Sequence, residues 1–141
     1  MTNKKVVLVT GASSGFGQLT AQLLAQKGYQ VFGTSRKEHS ASEGVEMLML
    51  DVKDDSSVQS CIKQLLARTN RIDLLINNAG EIHSSVLEET SLEQAKDIFE
   101  TNFWGVVRLT NAVLPTMRQQ RSGHIINMSS VAGLIGAPGQ G

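Results

Sequence analysis

Three glycines and three hydroxyls fall within eight residues near the start of the chain, Thr10-Gly11-Ala12-Ser13-Ser14-Gly15-Phe16-Gly17. Glycine lets the backbone adopt positive φ and pass close to a ligand. The hydroxyls of Thr10, Ser13 and Ser14 suit the oxygens of a phosphate or a ribose. The all-apolar run Val6-Val7-Leu8-Val9 leads into this turn, as a strand buried on both faces would. Leu19, Leu23 and Leu24 then recur at helical spacing. A helix starting at the turn aims unpaired N–H groups and a partial positive charge at the gap. Strand, turn and helix together make a site for a phosphate or pyrophosphate. The spacing is G-x-x-x-G-x-G, not the commoner G-x-G-x-x-G, and a tight turn with no ligand is the alternative.

Groups able to do related chemistry recur further along. Ser35 and Arg36 lie about 20 residues past the glycine turn, at the end of the next expected strand. An acidic residue there binds the 2′-hydroxyl of an adenosine ribose, whereas an arginine accommodates a 2′-phosphate. The planar, bidentate guanidinium suits that phosphate. Arg36 and Lys37 therefore favour NADP(H), while Glu38 leaves NAD(H) open. A solvated basic loop is the bland reading of the same residues.

Asp51 can accept a hydrogen bond from an adenine amino group, or simply make a turn. Asn77 and Asn78 can bond backbone and ribose, and Gly80 lets the chain pass near a cofactor; an ordinary turn uses the same residue types. Asn102 sits in an otherwise helical stretch, where its side chain competes with the backbone. A carbonyl freed there can hold a water, and a helix boundary is the alternative. Ser129 and Ser130 carry the only hydroxyls at the end of the last expected strand, where a serine can hold a substrate carbonyl oxygen or cap a turn.

Other candidates point to packing. His39, His83 and His124 have no ligand spacing with one another or with Cys61, so no metal site is expected. Cys61 lies among Val58, Ile62 and Leu65, as a small buried hydrophobe rather than a nucleophile. Phe99, Phe103 and Trp104 are expected in the core.

These residues need a scaffold, and the pattern supplies one. Lys27-Gly28 closes the first helix with a cation and a glycine. Strands are expected at Tyr29 to Thr34, Val45 to Leu50, Ile72 to Ile76 and His124 to Met128. Asp54, Asp55, Ser56 and Ser57 offer caps for a helix to about Arg68. Thr90-x-x-Glu93 reads as a capping box opening a helical region to about Gln120, broken near Thr101-Asn102 and kinked or restarted at Pro115. Strands alternating with helices imply an α/β fold with a parallel sheet covered on both faces. Ligands in such sheets sit beyond the carboxyl ends of the strands, and Gly11, Arg36, Asp51, Asn78 and Ser130 all follow those ends.

The 141 residues allow one domain at most, with enough chain to bury a core. Lys+Arg and Asp+Glu are both 13, and a net charge of zero argues against a nucleic-acid partner. The lone cysteine excludes an internal disulfide and fits a reducing cytoplasm. No apolar run approaches the roughly 18 residues of a membrane span, and no secretory segment is expected.

Taken together, these motifs resemble the short-chain dehydrogenase/reductase family from about Lys4 to Gly141. Thr10 to Gly17 matches its cofactor turn, with Gly11, Ser13, Ser14, Gly15, Phe16 and Gly17 as contacts. Asp51-Val52 matches its adenine contact, and Asn77-Asn78-Ala79-Gly80 the motif that steadies the central sheet. Asn102 falls at the family's catalytic asparagine. Ser130, followed by Val-Ala-Gly, falls at its catalytic serine. The resemblance implies a Rossmann-like doubly wound parallel sheet, strand order 3-2-1-4-5, in a single dinucleotide-binding domain spanning 1–141. It also implies NADP(H)-preferring hydride transfer to or from a small-molecule carbonyl or secondary alcohol, and a homo-oligomer when full length.

One departure matters. The family's acid/base residues form a Tyr-x-x-x-Lys motif after the serine, and the only tyrosine here is Tyr29. A phenol with a pKa near 10 needs a neighbouring cation to exchange protons near neutral pH. The expectation is therefore an N-terminal piece of a longer oxidoreductase, truncated at the C-terminus, without its last strands and helices and inactive alone. An unpaired sheet edge and exposed apolar faces should accompany it. The alternative is a non-catalytic nucleotide-binding or interaction module. Substrate choice should depend on Glu81 to Glu89 and on loops beyond Gly141.

Overall fold

The computed structural model describes residues 4–40, 43–83, 85–136 and 138. Ser84, within the segment expected to shape specificity, and Gly141, at the end of the family resemblance, lie outside them. Strands β1 (Val6–Val9), β2 (Gln30–Ser35), β3 (Val45–Met49), β4 (Leu74–Asn77) and β5 (His124–Asn127) form one parallel sheet in the order β3-β2-β1-β4-β5. Val9 is in register with Gly33 and Ile76, Gly33 with Met47, and Ile76 with Ile126, so the carboxyl ends of all five strands reach one rim.

Every side chain of β1 is buried, because helices cover both faces. Val7 and Val9 point to the side covered by α1 (Gly15–Gln26), packing with Ala12, Ala21 and Val31. Val6 and Leu8 point to the side covered by α2 (Asp55–Thr69) and α4 (Gly105–Gln120), where Phe32, Leu65, Leu75 and Leu109 complete a larger core. Burying each such aliphatic or aromatic side chain contributes about 1.5–3 kcal/mol. Cys61 sits in that core, and burial pushes its thiol up to about 11.

Asp73 anchors the start of β4. Its Oδ2 accepts from the Val6 amide at 2.8 Å, and Arg71 grips the carboxylate at 2.6 and 2.8 Å. Burial alone would raise its pKa; the Arg71 hydrogen bonds, the Val6 N–H and the nearby cations outweigh that and hold it below the ordinary carboxylate range.

Several expectations shift. The capping box lies one residue later: Ser91 Oγ accepts from Gln94 N and Gln94 Oε1 accepts from Ser91 N, opening α3 (Leu92–Phe99). Thr90 is drawn away because its hydroxyl donates to the Val86 carbonyl, closing a short 3₁₀ turn at Leu87–Glu89. The expected break near Thr101-Asn102 is a π-helical turn, Glu100–Trp104, that joins α3 to α4 without interrupting the helical run. Pro115 lies inside α4 without ending it. Phe99, Phe103 and Trp104 are not core residues: they are 61%, 51% and 48% exposed. The π turn rotates this segment so that Thr101 and Gly105 face inward instead, with Phe103 and Trp104 meeting edge-to-face on the surface. Among the described residues strand β5 pairs only with β4, and most of it is exposed, as expected of an uncovered edge.

Candidate functional site

The carboxyl ends of β1 to β4 open onto a cleft of about 470 Å³. Its wall on the β1 side is the glycine turn. Gly11 has φ +65°, and a Cβ there would lie 2.9 Å from Ala79 Cα, so only glycine lets β1 and the post-β4 segment approach this closely. Gly17 faces the Gly11 carbonyl and the Asn78 amide with no room for a side chain. Ser14 precedes α1 with extended geometry and makes no side-chain cap, and no acidic residue stands in the first turn. The first N–H groups of α1 are therefore left to an anionic guest.

Asn78 holds the turn together. Its Nδ2 donates to the carbonyls of Thr10 and Gly11 at 3.0 and 3.2 Å. Thr10 corrects the expectation for its hydroxyl: the side chain is buried, and Oγ1 accepts from the amides of Asn78 and Ala79, both at 2.9 Å. That oxygen ties β1 to β4 and is spent before any ligand arrives. Ser13 and Ser14 remain at the cleft.

The opposite wall comes from β2, β3 and the π turn. Ser35 ends β2, with Arg36 and Lys37 just beyond it. Ser35 Oγ accepts from Lys37 N at 3.2 Å, which folds this corner back over the cleft. Asp51 Oδ1 accepts from Lys53 N at 3.0 Å, and its backbone N–H donates to Ser57 Oγ at 2.9 Å. Its Oδ2 takes no hydrogen bond among the described residues and is available to a donor. Val52 is clamped by Gly105, where a Cβ would come within 2.8 Å of Val52 Cγ2. Arg108 braces the same corner with Asp55 at 3.0 Å and Glu100 at 2.7 Å.

Of the thirteen residues expected to bind a cofactor, Gly11, Ser13, Ser14, Phe16, Gly17, Ser35, Arg36, Asp51, Val52, Asn78, Ala79 and Gly80 line this one cleft. Gly15 does not; it starts α1 in open space with φ +55°. Asn102 stands beside the cleft, its side chain bonded twice to the backbone of Glu81 at 2.8 Å. Ser130 lies beyond β5 outside the lining, where its Oγ accepts from Ala132 N at 3.1 Å and caps a short 3₁₀ turn, Val131–Gly133.

Sequence reasoning missed Thr101 and Lys53, and placed Glu81 only at the start of a substrate-shaping segment; all three line the cleft. Thr101 Oγ1 is buried without a hydrogen-bond partner among the described residues, an atom that a ligand could satisfy. A hydroxyl next to a suspected helix irregularity was the available signal, since π turns gather at functional sites. Lys53 donates to both Asp97 oxygens at 2.9 Å. That hydrogen bond, and the charges of Glu81, Asp97 and Asp51, raise its pKa despite partial burial. No group of three or more His, Cys, Asp or Glu among the described residues is arranged to hold a metal ion. No helix among them is long and apolar enough to cross a membrane.

Comparison with known proteins follows the same lines. A family model described as short chain dehydrogenase matches residues 5–141. The chain is 46% identical over 137 residues to a 3-ketodihydrosphingosine reductase of Bacteroides thetaiotaomicron, covering 97% of this chain and 51% of that one. A short-chain dehydrogenase from Streptomyces avermitilis superposes with a TM-score of 0.90 at 38% identity, over 96% of this chain and 53% of that one. An actinorhodin polyketide ketoreductase solved with NADPH gives a TM-score of 0.91 at 29% identity, over 99% and 58%. The chain thus spans about half the length of the curated relatives it matches. It belongs to the short-chain dehydrogenase family of oxidoreductases, with the Rossmann-like sheet of that family.

Proposed function

We propose that this chain is the dinucleotide-binding domain, residues 1–141, of an NADP(H)-preferring oxidoreductase acting on a carbonyl or secondary alcohol. The observation that carries the reading is the cleft itself, where an uncapped helix N-terminus, a side-chain-free glycine turn and Arg36 surround one space. A nicotinamide dinucleotide fits these residues. The α1 N-terminus with Ser13 and Ser14 would take the pyrophosphate. Asp51 Oδ2 would accept from the adenine amino group beside Val52, and Thr101 Oγ1 offers one more polar contact. Ser35, Arg36 and Lys37 would hold the 2′-phosphate, since β2 ends in serine rather than in the acidic residue that binds a free 2′-hydroxyl. NADPH in a similar ketoreductase structure supports the same preference.

When bound, the nicotinamide supplies the hydride, and the protein supplies position. The hydroxyl of Ser130 would donate to the substrate oxygen, a role open to it because its cap bond to Ala132 N uses Oγ only as an acceptor. The side chain of Asn102 is bonded at both ends to Glu81, and its main-chain carbonyl would hold a water in a proton relay. Tyr29 precedes β2, at the end of the sheet away from the cleft, so no phenol of this chain can serve the reaction. The chain on its own is accordingly expected to recognise the cofactor without turning it over. The proposal includes a cytoplasmic location, which suits the unpaired thiol of Cys61. It also includes a homo-oligomer of the intact protein, which would cover the exposed Phe103 and Trp104.

Calorimetric titration of the intact polypeptide with NADPH and NADH tests the cofactor, and loss of reduced-nicotinamide absorbance with a panel of ketones tests the chemistry. Tighter NADPH binding with turnover supports the proposal. Binding of neither dinucleotide would refute it, and binding without any turnover would favour a nucleotide-binding module.

A further inference from the structure

Arg36 does not stand free at the cleft. Its Nη1 donates to Glu81 Oε1 at 3.0 Å, across the mouth from the segment after β2 to the segment after β4. Both residues line the cleft. The backbone of Glu81 is fixed independently of its carboxylate, because Asn102 Oδ1 accepts from Glu81 N and Asn102 Nδ2 donates to Glu81 O, each at 2.8 Å. The Glu81 side chain can therefore swing away while its main chain stays in place. It also sits within electrostatic reach of Lys53, a second cation able to receive it.

We propose that the Glu81 carboxylate is an internal competitor for Arg36, occupying the guanidinium that a 2′-phosphorylated dinucleotide must capture. This rests on the cofactor reading above and deepens it. A carboxylate and a phosphate present the same oxygen edge to a guanidinium, so they compete for Nη1 there. A dinucleotide with a free 2′-hydroxyl has no anion to offer Arg36 and leaves the Arg36–Glu81 pair intact. Glu81 thus lowers affinity selectively for the phosphorylated cofactor. The pair is largely exposed on the Arg36 side, with side-chain exposures of 65% and 31%, so its competition is modest and screened by salt.

The test uses the intact polypeptide and its Glu81→Gln variant, which removes the charge and keeps the main-chain bonds to Asn102. NADPH, NADH and adenosine 2′,5′-bisphosphate are titrated at low and high salt, each also in an Arg36→Ala background. Expected is about two- to fivefold tighter binding of NADPH and of the bisphosphate in E81Q. NADH affinity should be unchanged, and the gain should vanish at high salt and in R36A. Unchanged or weaker NADPH binding in E81Q overturns the inference. So does weaker NADH binding alone, which would make Glu81 a ribose ligand. If the unaltered protein shows NADPH preference that depends on Arg36, the cofactor reading survives that failure. If it shows none, both fall.

Discussion

Substituting Gly17 by alanine should damage stability and cofactor binding together. A Cβ at this position has nowhere to go, since it would press into the Gly11 carbonyl oxygen and the Asn78 side-chain amide. Both are fixed: Gly11 is packed against Ala79, and Asn78 Nδ2 is bonded to the Thr10 and Gly11 carbonyls at 3.0 and 3.2 Å. Overpacking a rigid site costs about 1–3 kcal/mol. Losing the two Asn78 bonds adds about 0.5–1.5 kcal/mol each, giving about 2–6 kcal/mol in all. The forced shift moves the backbone that faces the proposed pyrophosphate, so NADPH affinity should fall at least about tenfold, or about 1.4 kcal/mol. Gly28→Ala is the control. Gly28 has φ +89° with nothing within 4 Å, so alanine there should cost about 1 kcal/mol and leave the cleft alone. Urea unfolding gives the stabilities and calorimetry the affinities. A G17A protein as stable as G28A, with unchanged NADPH affinity, would show that the turn is not packed as described.

Three further outcomes are expected. Asp73→Asn should destabilise the protein by about 1–3 kcal/mol by weakening the bond to Val6 N and stranding Arg71. Because the folded Asp73 carboxyl is held below its ordinary value, its stabilisation is present above that value and is lost as pH falls through the lower folded one; a D73N protein should lose less stability than the parent across that acidic window. Thr101→Val should leave the ligand-free protein as stable or up to about 1 kcal/mol more stable, since it removes an unpartnered buried hydroxyl, yet weaken dinucleotide binding; loss of stability without loss of affinity would contradict the role given to Oγ1. Cys61, buried with its thiol raised to about 11, should resist a thiol reagent near pH 8 until urea unfolds the chain, and rapid labelling of the native state would show the α2 face to be open.

The parts of this fold visible in the sequence were those written in short-range pattern. Val6 to Val9 announced a doubly covered strand, and Asp54 capped α2 where the hydroxyl- and acid-rich run suggested, accepting from Ser56 N at 2.9 Å. Gly28, with φ +89°, ended α1 as its position predicted. The glycine turn and the Asn-Asn-Ala-Gly segment met at one cleft because parallel strands deliver their carboxyl ends to one rim. What stayed hidden depended on three-dimensional partners. Thr10 looked like a ligand for phosphate, but β4 lies alongside and claims its hydroxyl through two backbone amides. Aromatic identity suggested core for Phe99, Phe103 and Trp104, but Phe99 ends α3 on an exposed side, and the π turn carries Phe103 and Trp104 on the outward side opposite Thr101. Glu81 stood only at the head of a substrate-shaping segment, and its pairing with Arg36, 45 residues earlier, left no local signal.

The most direct test is a crystal structure of the intact polypeptide grown with NADP(H). The pyrophosphate should lie on the N-terminus of α1 beside Ser13 and Ser14, the adenine against Asp51 and Val52, and the 2′-phosphate on Arg36 with Glu81 turned away. A dinucleotide bound elsewhere, or one whose 2′-phosphate points into solvent while Arg36 still holds Glu81, would contradict that arrangement.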